Sequence, residues 1–335
     1  MLTLSGLSLG LAYLSYRFVE QPFRRGVMPA LPRQKQVFQA SLAAMGVFLV
    51  IGASGIIGKG FPGRFDNIKS PQRWAEMPCH GHDSVAQYAD PLAACLGSEP
   101  NRRPGDIFLL GDSHAAQLTF PLRALAEHRD VTFAHMSNMS GQFPHRRYFE
   151  QHPPVEDRAL EHMLRISDPG DHLVLIFHRG HLNETRDMHL DLENPVKENS
   201  REILFQKNFI QNITPFLDRG VNVSLVLDTP LLPEWSWLER CAFTLLRFGS
   251  HGCTIEWVQD EHTRSRQQRV FESIHKETGI PVLDPLPYLY SEDGYFDPIL
   301  PDGSYLMFDS NHLTELGALR LLPLFASALI SESEE

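Results

Sequence analysis

Beyond residue 104 the chain alternates short apolar runs with amphipathic stretches. Asp106 to Leu110 (DIFLL) predicts a strand that stops at Gly111, and 114–128 predicts a helix with Leu118, Leu122 and Leu125 along one face. The same reading gives strands at 131–137, 172–179, 221–230 and 281–285, and helices at 155–166, 200–219, 260–278 and 314–330. The third strand, HLVLIFHR, is apolar at successive positions, as a strand covered on both faces is. Gly279 closes the 260–278 helix as a C-terminal cap, and Thr314 opens the last one. Strands alternating with helices predict an α/β fold: a parallel sheet between two helical layers, with ligands bound beyond the carboxyl ends of the strands. This domain is expected to span 105–332. Residues 59–104, rich in Pro, Gly, Asp and Asn without periodicity, read as a linker and loop region.

The amino-terminal part follows another pattern. Met1 to Tyr16 is uncharged and about one turn short of the ~20 residues that span a bilayer. Val37 to Gly58 runs 22 residues without a charge and has the Gly, Ala and Ser content of helices that pack in lipid. Residues 1–58 are therefore expected to form two transmembrane helices, with a buried core helix as the alternative for the second. Charge adds an orientation. Residues 1–36 hold five basic residues (Arg17, Arg24, Arg25, Arg33 and Lys35) against Glu20, and the remainder holds 25 basic and 40 acidic residues, a formal charge of −15. A basic loop between two spans lies on the cytoplasmic side, so everything after about Lys59 is expected to be extracytoplasmic. The basic residues follow the first apolar run instead of preceding it, the reverse of a signal peptide. A chain that opens in mid-span is expected to continue a membrane region encoded upstream. The net charge of −11 disfavours a nucleic-acid partner, which needs a basic surface.

Cysteine spacing fits an oxidising compartment. Cys79 and Cys95 are 16 apart, Cys241 and Cys253 are 12 apart, and no pair has the CxxC spacing of a zinc ribbon. Both pairs bracket polar segments. Two local disulfides are expected, each contributing roughly 3 kcal/mol, although four cysteines allow three connectivities.

The chemistry concentrates at two places. LLGDSHAAQL (109–118) sets Ser113 where the first strand turns into the first helix. Its hydroxyl is there at the carboxyl end of the sheet, and free N–H groups of the helix start face whatever it attacks. By itself this is also the position of an ordinary capping serine. FDSNHLTELGA (308–318) places Asp309 and His312 three apart before the last helix. His312 is in position to take the Ser113 proton, with Asp309 holding the imidazole in the useful tautomer. His114 is expected to shape the pocket. His178, His181 and Glu184 are metal-ligating types, but HxxH across a strand end has no helical scaffold to align it, and no metal is expected. Trp235 and Trp237 are equally suited to stacking on a sugar and to packing a loop.

GDSH and DSNHL resemble the first and last sequence blocks of SGNH (GDSL-type) hydrolases. YRFVEQPFRRG, the following apolar stretch and GKGFPGRF resemble the tail of acyltransferase-3 membrane proteins. Together they resemble bacterial O-acetyltransferases in which a membrane acyltransferase domain is fused to a periplasmic SGNH domain. The resemblance implies an SGNH-like three-layer αβα domain, with Ser113 as nucleophile, His312 as base and Asp309 as orienting acid. It also implies an inner-membrane location, a cell-surface glycan as substrate and the bilayer as partner. No bound cofactor is implied; the acetyl donor is acetyl-CoA, delivered through a membrane domain that is upstream or separate. The family completes its oxyanion hole with a Gly and an Asn after the second and third strands. Here SNMSGQF offers Asn138 or Gly141 beside the Ser113 amide, and FHRGHLNE offers Asn183 in place of GxND. A carbohydrate acetylesterase and a non-catalytic glycan-binding accessory domain are the alternatives to an O-acyltransferase.

Overall fold

The computed structural model describes residues 9–10, 12–21, 34–57, 79–81, 89–98, 105–137, 155–182, 198–234, 236–238, 240–242 and 253–329. The chain divides into two units, Met1–Asp66 and Asn67–Glu335.

In the first unit Tyr16–Glu20 is a π-helical turn and Gln34–Ile57 forms the helix α1, 24 residues long. Phe38, Leu42, Phe48, Val50 and Ile56 of α1 are each well over half exposed. Among the described residues no helix is long and apolar enough to cross a membrane. The expected pair of spanning helices is therefore not supported by the fold. At the first segment the reason is visible: its helical run continues into Arg17 and Glu20, which cut the apolar length short.

The second unit carries the sheet. Its described strands are β1 (Ile107–Gly111), β2 (Phe133–Ser137), β3 (His172–Ile176), β4 (Asn222–Val226), β5 (Ile255–Glu256), β6 (Val282–Leu283) and β7 (Tyr295–Phe296). Five of them pair in parallel in the order β2-β1-β3-β4-β6, and β5 pairs with β7 antiparallel. The helices are α2 (Pro91–Leu96), α3 (Ser113–Arg129), α4 (Val155–Ile166), α5 (Glu198–Asp218), α6 (Trp257–Thr278), α7 (Leu286–Leu289), α8 (Glu315–Leu319) and α9 (Leu322–Leu329), with a 3₁₀ turn at Arg179–Leu182. Alternate residues of each strand point to opposite faces, and that alternation builds two cores. Phe108, Leu110, Leu173, Leu175, Val223 and Leu225 pack with Ala159 and Met163 of α4, Phe205 and Phe209 of α5, and Phe271 and Ile274 of α6. Ile107, Leu109, Val174, Ile176 and Val226 pack with Leu118, Leu122 and Leu125 of α3, Ala318 of α8 and Phe325 of α9. The result is a helix–sheet–helix sandwich, the expected α/β class.

Departures from the sequence reading have local causes. β3 stops at Ile176, not Arg179, and the amide of His178 donates to Asp112 Oδ2 (2.8 Å). β4 stops at Val226, not residue 230, and the amide of Asp228 donates to Gln267 Oε1 (3.0 Å). The final helix is broken into α8 and α9 just before Pro323, which supplies no N–H and sits only in the first turn of α9. The β5–β7 pair, two residues on each side, is too short to leave a periodicity. Gly279 does end α6, in the left-handed region (φ 77°), with its N–H on His275 O.

Both local disulfides form, Cys79–Cys95 with 5.6 Å between Cα atoms and Cys241–Cys253 with 5.3 Å. The first ties a short segment to the carboxyl end of β2: Cys79 O accepts from the Ser137 amide (3.1 Å), and His80 Nδ1 lies 2.9 Å from Ser137 Oγ.

Candidate active site

Ser113 stands at the junction of β1 and α3. Gly111 is the last residue of β1, Asp112 is the N-cap, and Ser113 is the first helical residue. Asp112 is buried and bonded on both oxygens: Oδ1 accepts from the His114 amide (2.8 Å) and Oδ2 from the His178 amide (2.8 Å). One carboxylate thus caps the helix behind the serine and pins the exit of β3. A residue larger than glycine does not fit at 111, because a Cβ there would lie 2.0 Å from Ile176 O.

The 309–312 loop reaches the serine from the other end of the sequence. Gln117, one turn along α3, accepts from the Leu313 amide and donates to Thr229 Oγ1 (3.1 Å), while the Leu232 amide donates to Ser310 O (2.7 Å). The loop is closed by Phe308 N–H on His312 O (2.7 Å). These ties bring His312 Nε2 to 2.8 Å from Ser113 Oγ, and His312 Nδ1 to 2.8 and 3.0 Å from the two oxygens of Asp309. Asp309 Oδ1 also accepts from the amides of Asn311 and His312, each at 2.9 Å. The bond from His312 Nδ1 to Asp309 leaves Nε2 of His312 facing the serine hydroxyl, the tautomer a base requires.

Charge follows from these contacts. Burial pushes the Asp309 carboxyl up, but the His312 bond and the two amides outweigh it and hold it below its ordinary value. Burial, helped by the charge of His114, lowers His312 despite Asp309. Burial likewise takes His80 down to about 4. Ser113, Asp309 and His312 are all part-exposed, so a substrate can reach them.

Next to this arrangement lies a buried polar cluster that the sequence reading did not identify. His114 Nδ1 is 2.6 Å from Asp228 Oδ1. Asp228 Oδ2 accepts from the Arg179 amide (2.8 Å) and from Arg179 Nε (3.1 Å), and Arg179 Nη1 donates to Asp260 Oδ1 (2.7 Å). The signal for Asp228 and Arg179 was a charged residue at the end of an almost wholly apolar run, in VNVSLVLDTP and HLVLIFHR. Among the described residues the donor atoms of His114, His178 and Asp228 come within 4.8 Å of one another. Two ligands at ~2.0–2.2 Å on a tetrahedral ion stand about 3.3 Å apart. The 2.6 Å between His114 Nδ1 and Asp228 Oδ1 is shorter than that and is the separation of an imidazole–carboxylate ion pair. Asn138, Gly141, Asn183, Glu184 and Trp235 lie outside the described residues, as does the side chain of His181. Trp237 is described and packs against the second core, with the Arg240 guanidinium 5.2 Å over its ring.

No curated protein matches the chain in sequence. Among solved structures it is similar to the periplasmic domain of a lipopolysaccharide acetyltransferase from Salmonella ser. Paratyphi A, with a TM-score of 0.54, 16% identity, and coverage of 77% of this chain and 93% of that one. A GDSL-like lipase from Bacteroides thetaiotaomicron gives a TM-score of 0.42 at 12% identity over 77% of this chain and 98% of its own. At such identities the first likeness is one of fold. The family model for the SGNH domain, described as fused to AT3 domains, matches residues 78–327, a span that holds the whole sheet together with Ser113, Asp309 and His312, and the chain belongs to that family.

Proposed function

We propose that the protein is an O-acyltransferase that moves an acetyl group to a hydroxyl of a bacterial cell-surface glycan through an acyl-enzyme on Ser113. The observation that carries this is the continuous contact from Ser113 Oγ to His312 Nε2 and from His312 Nδ1 to Asp309. His312 takes the hydroxyl proton as Ser113 Oγ bonds to the acyl carbonyl carbon, and Asp309 stabilises the imidazolium that forms. The tetrahedral oxyanion is met by the Ser113 amide and, in this reading, by Asn138 or Gly141 and by Asn183. Its collapse breaks the bond to the donor, whose leaving oxygen or sulfur takes the proton from His312. A glycan hydroxyl then attacks the acyl-serine while its proton passes to His312; the ester to the sugar forms as the Ser113 ester breaks, and the proton returns to Ser113.

The glycan assignment is supported by the fold likeness to the Salmonella domain and by the family description. The same likeness and the two disulfides support a periplasmic setting for residues 59–335. Membrane attachment through residues 1–58 is supported by the exposed apolar side chains of α1, and acetyl-CoA is proposed as the donor behind an acyltransferase membrane domain. With water in place of the sugar the same steps make an acetylesterase, and the part-exposed Ser113 admits water. The test uses the full chain with an activated acetyl ester, with and without added oligosaccharide acceptors. Ser113→Ala and His312→Ala should each lower the rate by roughly 10³-fold or more with unchanged circular dichroism. Transfer to the acceptor identifies the transferase and hydrolysis alone the esterase. A folded, active Ser113→Ala protein refutes both.

A further inference from the structure

A second imidazole–carboxylate pair sits against the first. His114 and Asp228 are each 1% exposed, joined at 2.6 Å, and the ring of His114 lies 4.8 Å from that of His312, centroid to centroid. Arg179 is bonded to both Asp228 and Asp260, and all three are buried, so the carboxylate beside His114 shares its guanidinium with a second one. The neighbouring Arg264 balances itself against Asp284 (2.8 Å). A buried carboxylate is held best by a charge-bearing partner at close range, and a proton on His114, whose Nδ1 stands 2.6 Å from Asp228 Oδ1, makes it one. Asn311 gives an independent sign. As oriented, its Nδ2 is 3.4 Å from His114 Nε2 while its buried Oδ1 has no hydrogen-bond partner. Turning the amide over, an exchange that amide side chains permit, places Oδ1 against Nε2 and gives a doubly protonated ring its second acceptor.

We propose that His114 and Asp228 are a positioning pair for the base: they fix an imidazolium beside His312 and so keep Nε2 of His312 unprotonated at pH values where a ring bonded to Asp309 alone would be charged. The inference rests on the reading of His312 as the base. A carboxylate beside an imidazole favours its charged form and works against a base in acid; a like charge one ring away offsets that. The other groups facing the two rings divide. Asp112 favours the charge on both, Arg179 opposes it on His114, and the His178 ring is 4.7 Å from His114. His80, beside His312, titrates far below neutrality and adds no charge. On balance burial lowers His114 and Asp228 raises it further, so it ends above its ordinary value, while Asp228 is held well below its own.

The test is the pH dependence of kcat/KM for an activated acetyl ester between pH 5 and 9. In Asp228→Asn and His114→Gln the acid limb should move to higher pH by about one unit, since the charge facing His312 is removed. A loss of activity with the limb unmoved, or moved to lower pH, overturns the proposal and leaves a structural role. If either variant fails to fold, the wild-type full chain decides: ¹⁵N-histidine spectra at pH 8 should contain one doubly protonated ring that persists in His312→Ala. Spectra without such a ring overturn it. Neither readout depends on the Ser113→Ala result, so the two readings fail separately.

Discussion

Gly111→Ala should cost this protein both stability and activity, for one geometric reason. Gly111 closes β1 and is paired with Ser137 of β2 on one side and Ile176 of β3 on the other. A Cβ at 111 would stand 2.0 Å from the carbonyl oxygen of Ile176 and 3.0 Å from Ala115 Cβ. The obstructing atom is backbone in a buried strand, so a rotamer change does not relieve the overlap. Reaching an ordinary contact requires β1 and β3 to part by more than 1 Å where Ser113 leaves the sheet. Overpacking costs about 1–3 kcal/mol in cores that can give, and this one falls at the upper end. For a domain of this size a loss of about 3 kcal/mol lowers Tm by roughly 6–12 °C. The displacement reaches the hydroxyl two residues on, and a ~1 Å misplacement of a reacting group costs on the order of 10²-fold in rate. Thermal unfolding, together with acetyl ester hydrolysis well below the variant's Tm, measures both effects. A Tm within 2 °C of wild type, or a normal kcat in the folded variant, would refute the claim that the strand spacing positions the nucleophile.

Removing the Cys79–Cys95 bridge, by Cys79→Ser with Cys95→Ser or by reductant, should lower Tm by about 6–12 °C, from a loop-closure contribution of about 3 kcal/mol. It should also lower kcat/KM, because the bridge holds the segment bonded to Ser137; a protein indifferent to reductant contradicts this. Asp309 and Asp228 are both held below the ordinary carboxylate value in the folded state. Such groups add stability that is fully present above the unfolded value near pH 4 and is lost as pH falls toward the folded values. Tm should therefore fall steeply below about pH 4, and the fall should be shallower in Asp228→Asn, as read by melts from pH 2 to 7. If residues 1–58 cross the membrane as the sequence pattern predicts, a periplasm-active reporter fused after Arg64 should be active and one fused near Gly26 inactive, from the five basic residues between 17 and 35; the opposite pattern removes the case for an extracytoplasmic site.

The sheet was legible because its strands are buried on both faces: runs such as HLVLI and IFLL have no polar interruption to blur them, and the helices between carry a clear apolar stripe. The strand ends were less legible. Their limits are set by polar residues, Asp112, His178 and Asp228, whose partners lie 39 to 66 positions away, and a window along the chain does not see such distances. Ser113, Asp309 and His312 could be singled out because each sits at a turn with a short, recognisable neighbourhood, and the fold brings them within hydrogen-bond reach. The His114–Asp228–Arg179–Asp260 cluster has no such neighbourhood. Its members come from four separate elements and only the strand order β1-β3-β4 makes them adjacent.

That strand order also explains how one site can be rigid and open at once. The exits of β1, β3 and β4 each deliver a buried polar residue, and these are bonded across the strands: Asp112 to the amide of His178, Arg179 to Asp228, Asp228 to His114. Breaking one tie leaves a buried charge unpaired, a cost of about 3–5 kcal/mol, so the inner wall of the site has a single arrangement. Ser113 and His312 stand on that wall with their reacting atoms 2.8 Å apart before any substrate arrives. In the proposed mechanism a wall built this way treats the second reactant neutrally, because His312 Nε2 would take a proton from water and from a sugar hydroxyl by the same contact. Substituting Asp228 or Arg179 should therefore change the rate with water and with every sugar acceptor alike, and a variant of either that altered the acceptor preference would refute this division of labour.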